Sequence, residues 1–165
     1  MTHEPHNGPV DTPGVIAPPP LIFGVPLVLG IVFHKTVGGL DVPLRYLDWP
    51  TRAFGGAGIV IAGAALIVTA LLAFRRADTP PEPWKATRAL TLRGPYRLTR
   101  NPMYFGMALI YLGITLIAGC LLLLGVLVPI LVVIDRFVIV REEAYLSQKF
   151  GEPYRHYLAA SRRWL

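Results

Sequence analysis

Two polar clusters in an otherwise apolar chain hold residue types that can do chemistry. The first, Arg93-Gly-Pro-Tyr-Arg-Leu-Thr-Arg-Asn-Pro-Met-Tyr104, brings three arginines, two tyrosines and two prolines to the lip of an apolar run. The second, Arg141-Glu142-Glu143, lies at the far end of the hydrophobic hairpin that follows. A bare anchor needs only a basic residue or two at such a lip, so a Pro-punctuated loop holding Tyr and Asn exceeds what anchoring requires. Arg93, Arg97 and Arg100, beside a helix N-terminus, favour an anion such as a carboxylate or phosphate, while any one of them also suits snorkelling to lipid phosphates. The paired glutamates can accept hydrogen bonds from vicinal hydroxyls, stabilise a cation or take a proton from a nucleophile; a solvated helix start would need them as well. A hairpin returns its ends to one side, so the two clusters are expected to face each other at a membrane surface.

The elements that must position these residues are helices in lipid. Of 165 residues, 53% are hydrophobic and 16% charged, with mean hydropathy +0.51. Soluble domains carry about 25% charged residues, so the composition predicts one all-α integral membrane domain. Residues 1–19 form a Pro- and Gly-rich tail, expected to be disordered; it lacks the basic start of a secretory signal, so no cleavage is expected. Apolar runs predict about four spans, at residues 20–34, 53–74, 103–118 and 121–140, within a single domain over 20–165. The second is the cleanest, with no charge across a length near the ~20 residues that cross a hydrocarbon core. Residues 35–52 read as an interfacial loop, with Leu40, Val42, Leu44, Leu47 and Trp49 among Asp41, Arg45 and Asp48, and Pro80-Pro81-Glu82-Pro83-Trp84 reads as an extended connector. A C-terminal amphipathic segment, with Phe150, Tyr154, Tyr157, Leu158 and Trp164 among Lys149, Arg155, Arg162 and Arg163, predicts a surface helix or two.

Charge sets the orientation. Net charge is +6, and the basic residues flank apolar runs, which argues for anionic lipid rather than nucleic acid as their partner. The 75–100 loop and the segment from Arg136 onward are the most basic, so the positive-inside rule places both, and both termini, in the cytoplasm. The small size and the lack of targeting signals suggest a bacterial inner membrane. Cys120, alone, excludes an internal disulfide, and His3, His6, His34 and His156 lack zinc-ligand spacing, so no metal is indicated. Gly55-Gly56-Ala57-Gly58 has neither the strand nor the lysine of a nucleotide-binding loop; Gly58, Ala62 and Gly63 more plausibly let helices approach. Gly94-Pro95 predicts a turn and Asn101-Pro102 a helix start, Asn being a good N-cap and Pro a good first residue.

The ordered set Gly94-Pro-Tyr-Arg-Leu-Thr-Arg-Asn-Pro-Met-Tyr-Phe-Gly106, an apolar hairpin, Glu142-Glu143 and Phe150-Gly-Glu-Pro-Tyr-Arg-His-Tyr157 resembles the isoprenylcysteine carboxyl methyltransferase family, itself related to membrane phospholipid N-methyltransferases. The resemblance covers residues 85–165. It implies S-adenosylmethionine as methyl donor, in a cytosol-facing pocket between the motif loop and the helix after the hairpin. Tyr96, Arg97, Arg100, Asn101, Pro102 and Tyr104 would line the donor, Glu142 and Glu143 would hold it or position the acceptor, and Arg141 with the two glutamates would form the catalytic group. The family commonly has His where this chain has Asn101, which cannot titrate near neutral pH. Both Arg136 and Arg141 qualify as the arginine before the glutamate pair.

Methyl transfer is an in-line displacement, in which alignment supplies much of the catalysis. The expected activity is methylation of a lipid-like or hydrophobic acceptor that partitions into the bilayer, with carboxyl O-methylation favoured by the resemblance and phospholipid N- or thiol S-methylation as the alternative. A non-catalytic four-span binding protein is the reading from another class. Transport ranks below these, because the middles of spans two to four carry no charge.

Overall fold

Apolar runs that must satisfy every backbone group without water have helices as their solution, and that is what forms. The computed structural model describes residues 12–37, 46–82, 87, 90 and 92–164. Helix α1 covers Pro19–Val37, α2 Trp49–Arg76, α3 Pro102–Ala118 and α4 Leu121–Val133. From α4 the helix continues through a π-helical stretch, Ile134–Ile139, into α5, Val140–Phe150, and α6 follows at Glu152–Ala160. The protein is all-helical among its described residues, and three of its helices, α1, α2 and the continuous Leu121–Phe150, are long and apolar enough to cross a membrane. The expected fourth span rests on α3, whose 17 residues reach about 25 Å against a hydrocarbon core of about 30 Å.

The helices overrun their expected ends. Trp49–Arg52, read from sequence as loop, form the first turn of α2, where Asp48 stands at the N-cap and a proline occupies the opening turn. The fourth apolar run does not stop at Val140: the charged residues Arg141–Lys149 extend the same helix beyond the apolar stretch. Within it the Val140 N–H bonds to the Asp135 carbonyl, five residues back. That wider turn changes which face α5 presents. The expected interfacial residues 38–45, tail residues 1–11, and Pro83–Trp84 of the connector lie outside the described residues.

Packing in lipid depends on close contact, because lipid tails are as apolar as the helix surfaces. α2 and α3 meet through two glycine pairs. A Cβ on Gly56 would come within 2.6 Å of the Gly113 carbonyl oxygen, and one on Gly63 within 2.6 Å of that of Gly106. Of the small residues singled out in the sequence, Gly63 is therefore at the contact, while Gly58 and Ala62 are exposed on the other face; Gly56 takes the place expected of Gly58. α1 packs on α3 and α4, with Gly30 directly against Leu123, over a core that includes Phe23, Tyr111, Leu123, Leu127 and Ile134. Val28, Leu29, Ile61, Val128 and Val132 are exposed, as residues facing lipid must be. The hairpin turns at Gly119 as expected, in a left-handed conformation (φ 69°) with Arg52 filling the space where a side chain would stand.

Candidate active site

Three chain segments meet at the end of the bundle where α2 stops and α3 begins. The loop after α2 makes a single 3₁₀ turn, Gly94–Arg97, as Gly94-Pro95 predicts, and this buries Tyr96 edge-on against Phe74 with ring centroids 5.4 Å apart. The start of α3 supplies Asn101, Met103 and Tyr104, and α5 with α6 supplies Glu142, Glu143, Leu146, Tyr154 and Tyr157. A cleft lies between them. Pro13, Phe74, Pro80 and Pro81 close its apolar side, and Arg100 and Glu82 also line it.

The two glutamates have different surroundings. Glu143 Oε1 accepts from Arg100 Nε (3.1 Å) and Arg163 Nε (3.3 Å), and Oε2 accepts from Arg163 Nη2 (2.5 Å). Arg163 Nη1 also reaches both oxygens of Asp135 (3.3 and 3.4 Å). Asp135, Arg163, Glu143 and Arg100 thus form a chain of alternating charge, and Glu143 raises the pKa of the Arg163 guanidinium through its hydrogen bond. Glu142 stands apart. Its Oε1 accepts from the Tyr104 hydroxyl (2.5 Å), and among the described residues no arginine or lysine pairs with it.

Arg100 is largely committed to the protein itself. Besides Glu143, its Nη1 donates to the carbonyls of Leu158 (3.0 Å) and Ser161, and its backbone N–H donates to the Arg162 carbonyl (2.9 Å). Arg93 and Arg97 are exposed and do not line the cleft. The three arginines do not converge into an anion site.

Of the residues singled out in the sequence, Tyr96, Arg100, Asn101, Tyr104, Glu142 and Glu143 line one cleft. Arg97, Pro102 and Arg141 do not: Pro102 is buried in the first turn of α3, and Arg141 is exposed, donating to the Gly14 carbonyl (2.6 Å). Nor does Arg136, which contacts Asp135 at 3.6 Å with its side chain 74% exposed. The arginines that meet Glu143 are Arg100, from the facing cluster, and Arg163, which spacing along the chain did not suggest.

Asn101 occupies the N-cap position without capping. Its Nδ2 donates to the Arg163 carbonyl (2.9 Å) while its backbone N–H is taken by Thr99 Oγ1 (3.2 Å). A neutral histidine also carries an N–H donor, so the bond needs no titrating group. Asn101→His should therefore keep the melting temperature near that of the parent, and Asn101→Ala should lower stability by about 1 kcal/mol, since it strips a donor from a part-buried carbonyl. A melt in which alanine matches asparagine would remove this role.

Sequence reasoning missed Phe74, Leu146, Tyr154 and Tyr157 as lining residues. It assigned the last two to an amphipathic surface segment, but their rings turn into the cleft, 5.9 Å apart. The Tyr157 hydroxyl donates to the Tyr96 carbonyl (2.6 Å), and burial pushes its pKa up to about 12. Burial likewise raises the pKa values of Tyr96 and Tyr154, so all three present neutral rings near pH 7. The i, i+3 placement of Tyr154 and Tyr157 on one helix face was the available signal.

The walls suit a cation with an apolar body. Among the described lining residues are Glu82, Glu142, Glu143 and Arg100, with Arg163 paired to Glu143 from outside the cleft, and five aromatic rings surround the space. Aromatic faces attract cations by roughly 0.5–2 kcal/mol, and carboxylates add to that attraction. A sulfonium donor of the kind the sequence resemblance implies meets this test: the rings fit the charged sulfur, and the second oxygen of Glu142 fits its hydroxyls.

Comparison with known proteins points the same way. The sequence model of the family described as "Phospholipid methyltransferase" matches residues 46–153. An uncharacterized protein of Haemophilus influenzae (strain KW20 / Rd) is 52% identical over 64 residues, which are 100% of that protein and 38% of this chain. No solved structure matches.

Proposed function

Since the chain belongs to the phospholipid methyltransferase family and is a membrane methyltransferase, we propose that its cleft binds S-adenosylmethionine and methylates a lipid-like or hydrophobic acceptor at the bilayer surface. Membership implies this donor in general terms; the residues that hold it here are the proposal. The observation that carries it is the cleft wall itself, acidic and ringed by tyrosines, at the ends of helices that lie in lipid.

When bound, the donor supplies a methyl group on a positively charged sulfur, which departs as a neutral thioether. Tyr96, Tyr154 and Tyr157 provide neutral ring faces for the cation and exclude water. Glu142 would accept hydrogen bonds from the donor's hydroxyls through the oxygen that Tyr104 leaves open, and Tyr104 holds that carboxyl group in place. The remaining Nη of Arg100 is the described guanidinium nitrogen best placed to meet the donor's carboxylate. Glu143 orients Arg100.

The charge of the wall bears on the acceptor. A carboxylate nucleophile, favoured by the sequence resemblance, would approach the Glu142 carboxyl group, while Arg100 and Arg163 neutralise Glu143. An amine or thiol arrives neutral or protonated and meets no such repulsion, so the geometry favours N- or S-methylation. With the donor bound, a carboxylate at the wall would take the proton of a protonated amine and so free its lone pair for the donor's methyl group. By the positive-inside rule the cleft opens to the cytoplasm, with both termini on that side.

The test is to incubate purified protein with methyl-labelled donor and membrane lipid extract, then treat the product with base. Label that survives base is the expected result and identifies an amine or thiol acceptor. Label released as methanol would restore the carboxyl reading, and no labelled lipid, together with no donor binding by calorimetry, would overturn the assignment.

A further inference from the structure

Residues 161–164 have no regular structure of their own, yet most of the bonds they make run to residues that line the cleft. The Arg163 carbonyl accepts from Thr99 Oγ1 (3.0 Å) and Asn101 Nδ2 (2.9 Å), and the Arg162 carbonyl accepts from the Arg100 N–H (2.9 Å). The Ser161 carbonyl takes Arg100 Nη1. Each residue from Thr99 to Asn101 is therefore tied to the tail. On the other side, Trp164 Nε1 donates to Asp135 Oδ1 (3.0 Å) and its ring packs on the bundle core.

We infer that residues 161–164 act as a strap across the base of the cleft, and that Arg163 is a positioning residue that holds Glu143, and through it Arg100, in the donor-binding arrangement. This rests on the reading of the cleft as a donor site. A glutamate tethered only to Arg100 could rotate with it into solvent. Arg163 prevents this because it grips both Glu143 oxygens at a distance of 2.5–3.3 Å while Asp135 fixes its other nitrogen. Three of the roughly four acceptor positions of a carboxylate are then filled at Glu143, which makes Glu143 a strut and leaves Glu142 to face the ligand. Arg163 itself does not line the cleft, so its influence passes through Glu143. Asp135 sits in the π-helical stretch, so the wider turn there aims the anchor that the strap needs.

The experiment uses the full chain in detergent, with Arg163→Met, Arg163→Lys and Asp135→Asn beside the parent. Calorimetry with S-adenosylhomocysteine gives affinity and stoichiometry separately, and trypsin cleavage after Arg162 and Arg163 reports whether the strap is seated. Arg163→Met and Asp135→Asn should each weaken binding about tenfold at unchanged stoichiometry, the size expected for loss of a charge-assisted bond. Arg163→Lys should recover part of the loss, and Asp135→Asn should expose the tail to trypsin. A tail that merely stabilises the fold would instead lower the stoichiometry and leave the affinity of the intact fraction unchanged, which would overturn the positioning role, as would parent-like affinity in both charge-removing variants. If the parent itself binds no S-adenosylhomocysteine, the donor-site reading falls and the positioning role with it. The trypsin comparison then still judges the strap, which is overturned if parent and Asp135→Asn are cut at equal rates.

Discussion

Glu142→Gln weakens binding of S-adenosylmethionine by about 10- to 100-fold while the melting temperature stays near that of the parent. The substitution keeps the shape of the side chain and an oxygen for the Tyr104 hydroxyl, now 2.5 Å away, so the fold loses little. What disappears is a carboxyl oxygen able to accept from the ligand at the wall. A hydrogen bond to a charged group contributes about 1.5–3 kcal/mol, and each 1.4 kcal/mol is a factor of ten. Glu143→Gln should behave in the opposite way. Its carboxylate, with only 14% of the side chain exposed, neutralises Arg100 and Arg163. Breaking a buried pair by removing one partner costs about 3 kcal/mol or more, so this variant should lose stability first and binding as a consequence. Calorimetry and melts on the two proteins check both statements. Equal melting temperatures with equal affinities would remove the division of labour between the glutamates.

The second large effect lies far from the cleft. Gly113→Leu should prevent accumulation of folded protein, and Gly113→Ala should cost about 1–3 kcal/mol, the usual penalty for overpacking. A Cβ at Gly113 would sit 2.6 Å from the Gly56 carbonyl oxygen and 2.7 Å from Val60 Cγ2, so backbone must move and not only a flexible side-chain end. Gly58→Ala is the control, because nothing lies within 4 Å of that position. Separation of the helices would also be felt at the site. α2 ends at the turn that carries Phe74 and α3 begins at Asn101 and Tyr104, so the spacing between the two helices sets the width of the cleft. Melts in detergent on the three variants provide the check. A stable Gly113→Leu protein with unaltered donor binding would mean that the close approach is not needed.

Much of this architecture was legible in the residues. Apolar runs bounded by Arg75-Arg76, by Gly119 and by the 93–101 loop became helices and turns where expected, because chain in lipid has no other way to satisfy its backbone. Gly94-Pro95 and Asn101-Pro102 became a turn and a helix start for reasons local to those residues. The fourth helix was harder to delimit: Arg141, Glu142 and Glu143 are good helix formers, and no proline or glycine interrupts the chain before Gly151. Hydropathy reports where lipid ends, and the helix runs past that point.

By itself, then, the sequence determined that this is a helical membrane protein and that two polar clusters sit at the ends of one hairpin. Those properties follow from composition and from local backbone preference, which act over a few residues. Only the tertiary structure decided which charges meet. Sixteen lysines and arginines look alike along the chain, and Arg136 and Arg141 are closer in sequence to the glutamate pair than Arg163 is. A guanidinium finds its carboxylate where packing has removed the competing water. That depends on the glycine contact between α2 and α3, on the wider π turn at Asp135 and on the tail folding back beneath Arg100. None of these is a property of neighbouring residues, and each decides a partner only after the helices have been brought together.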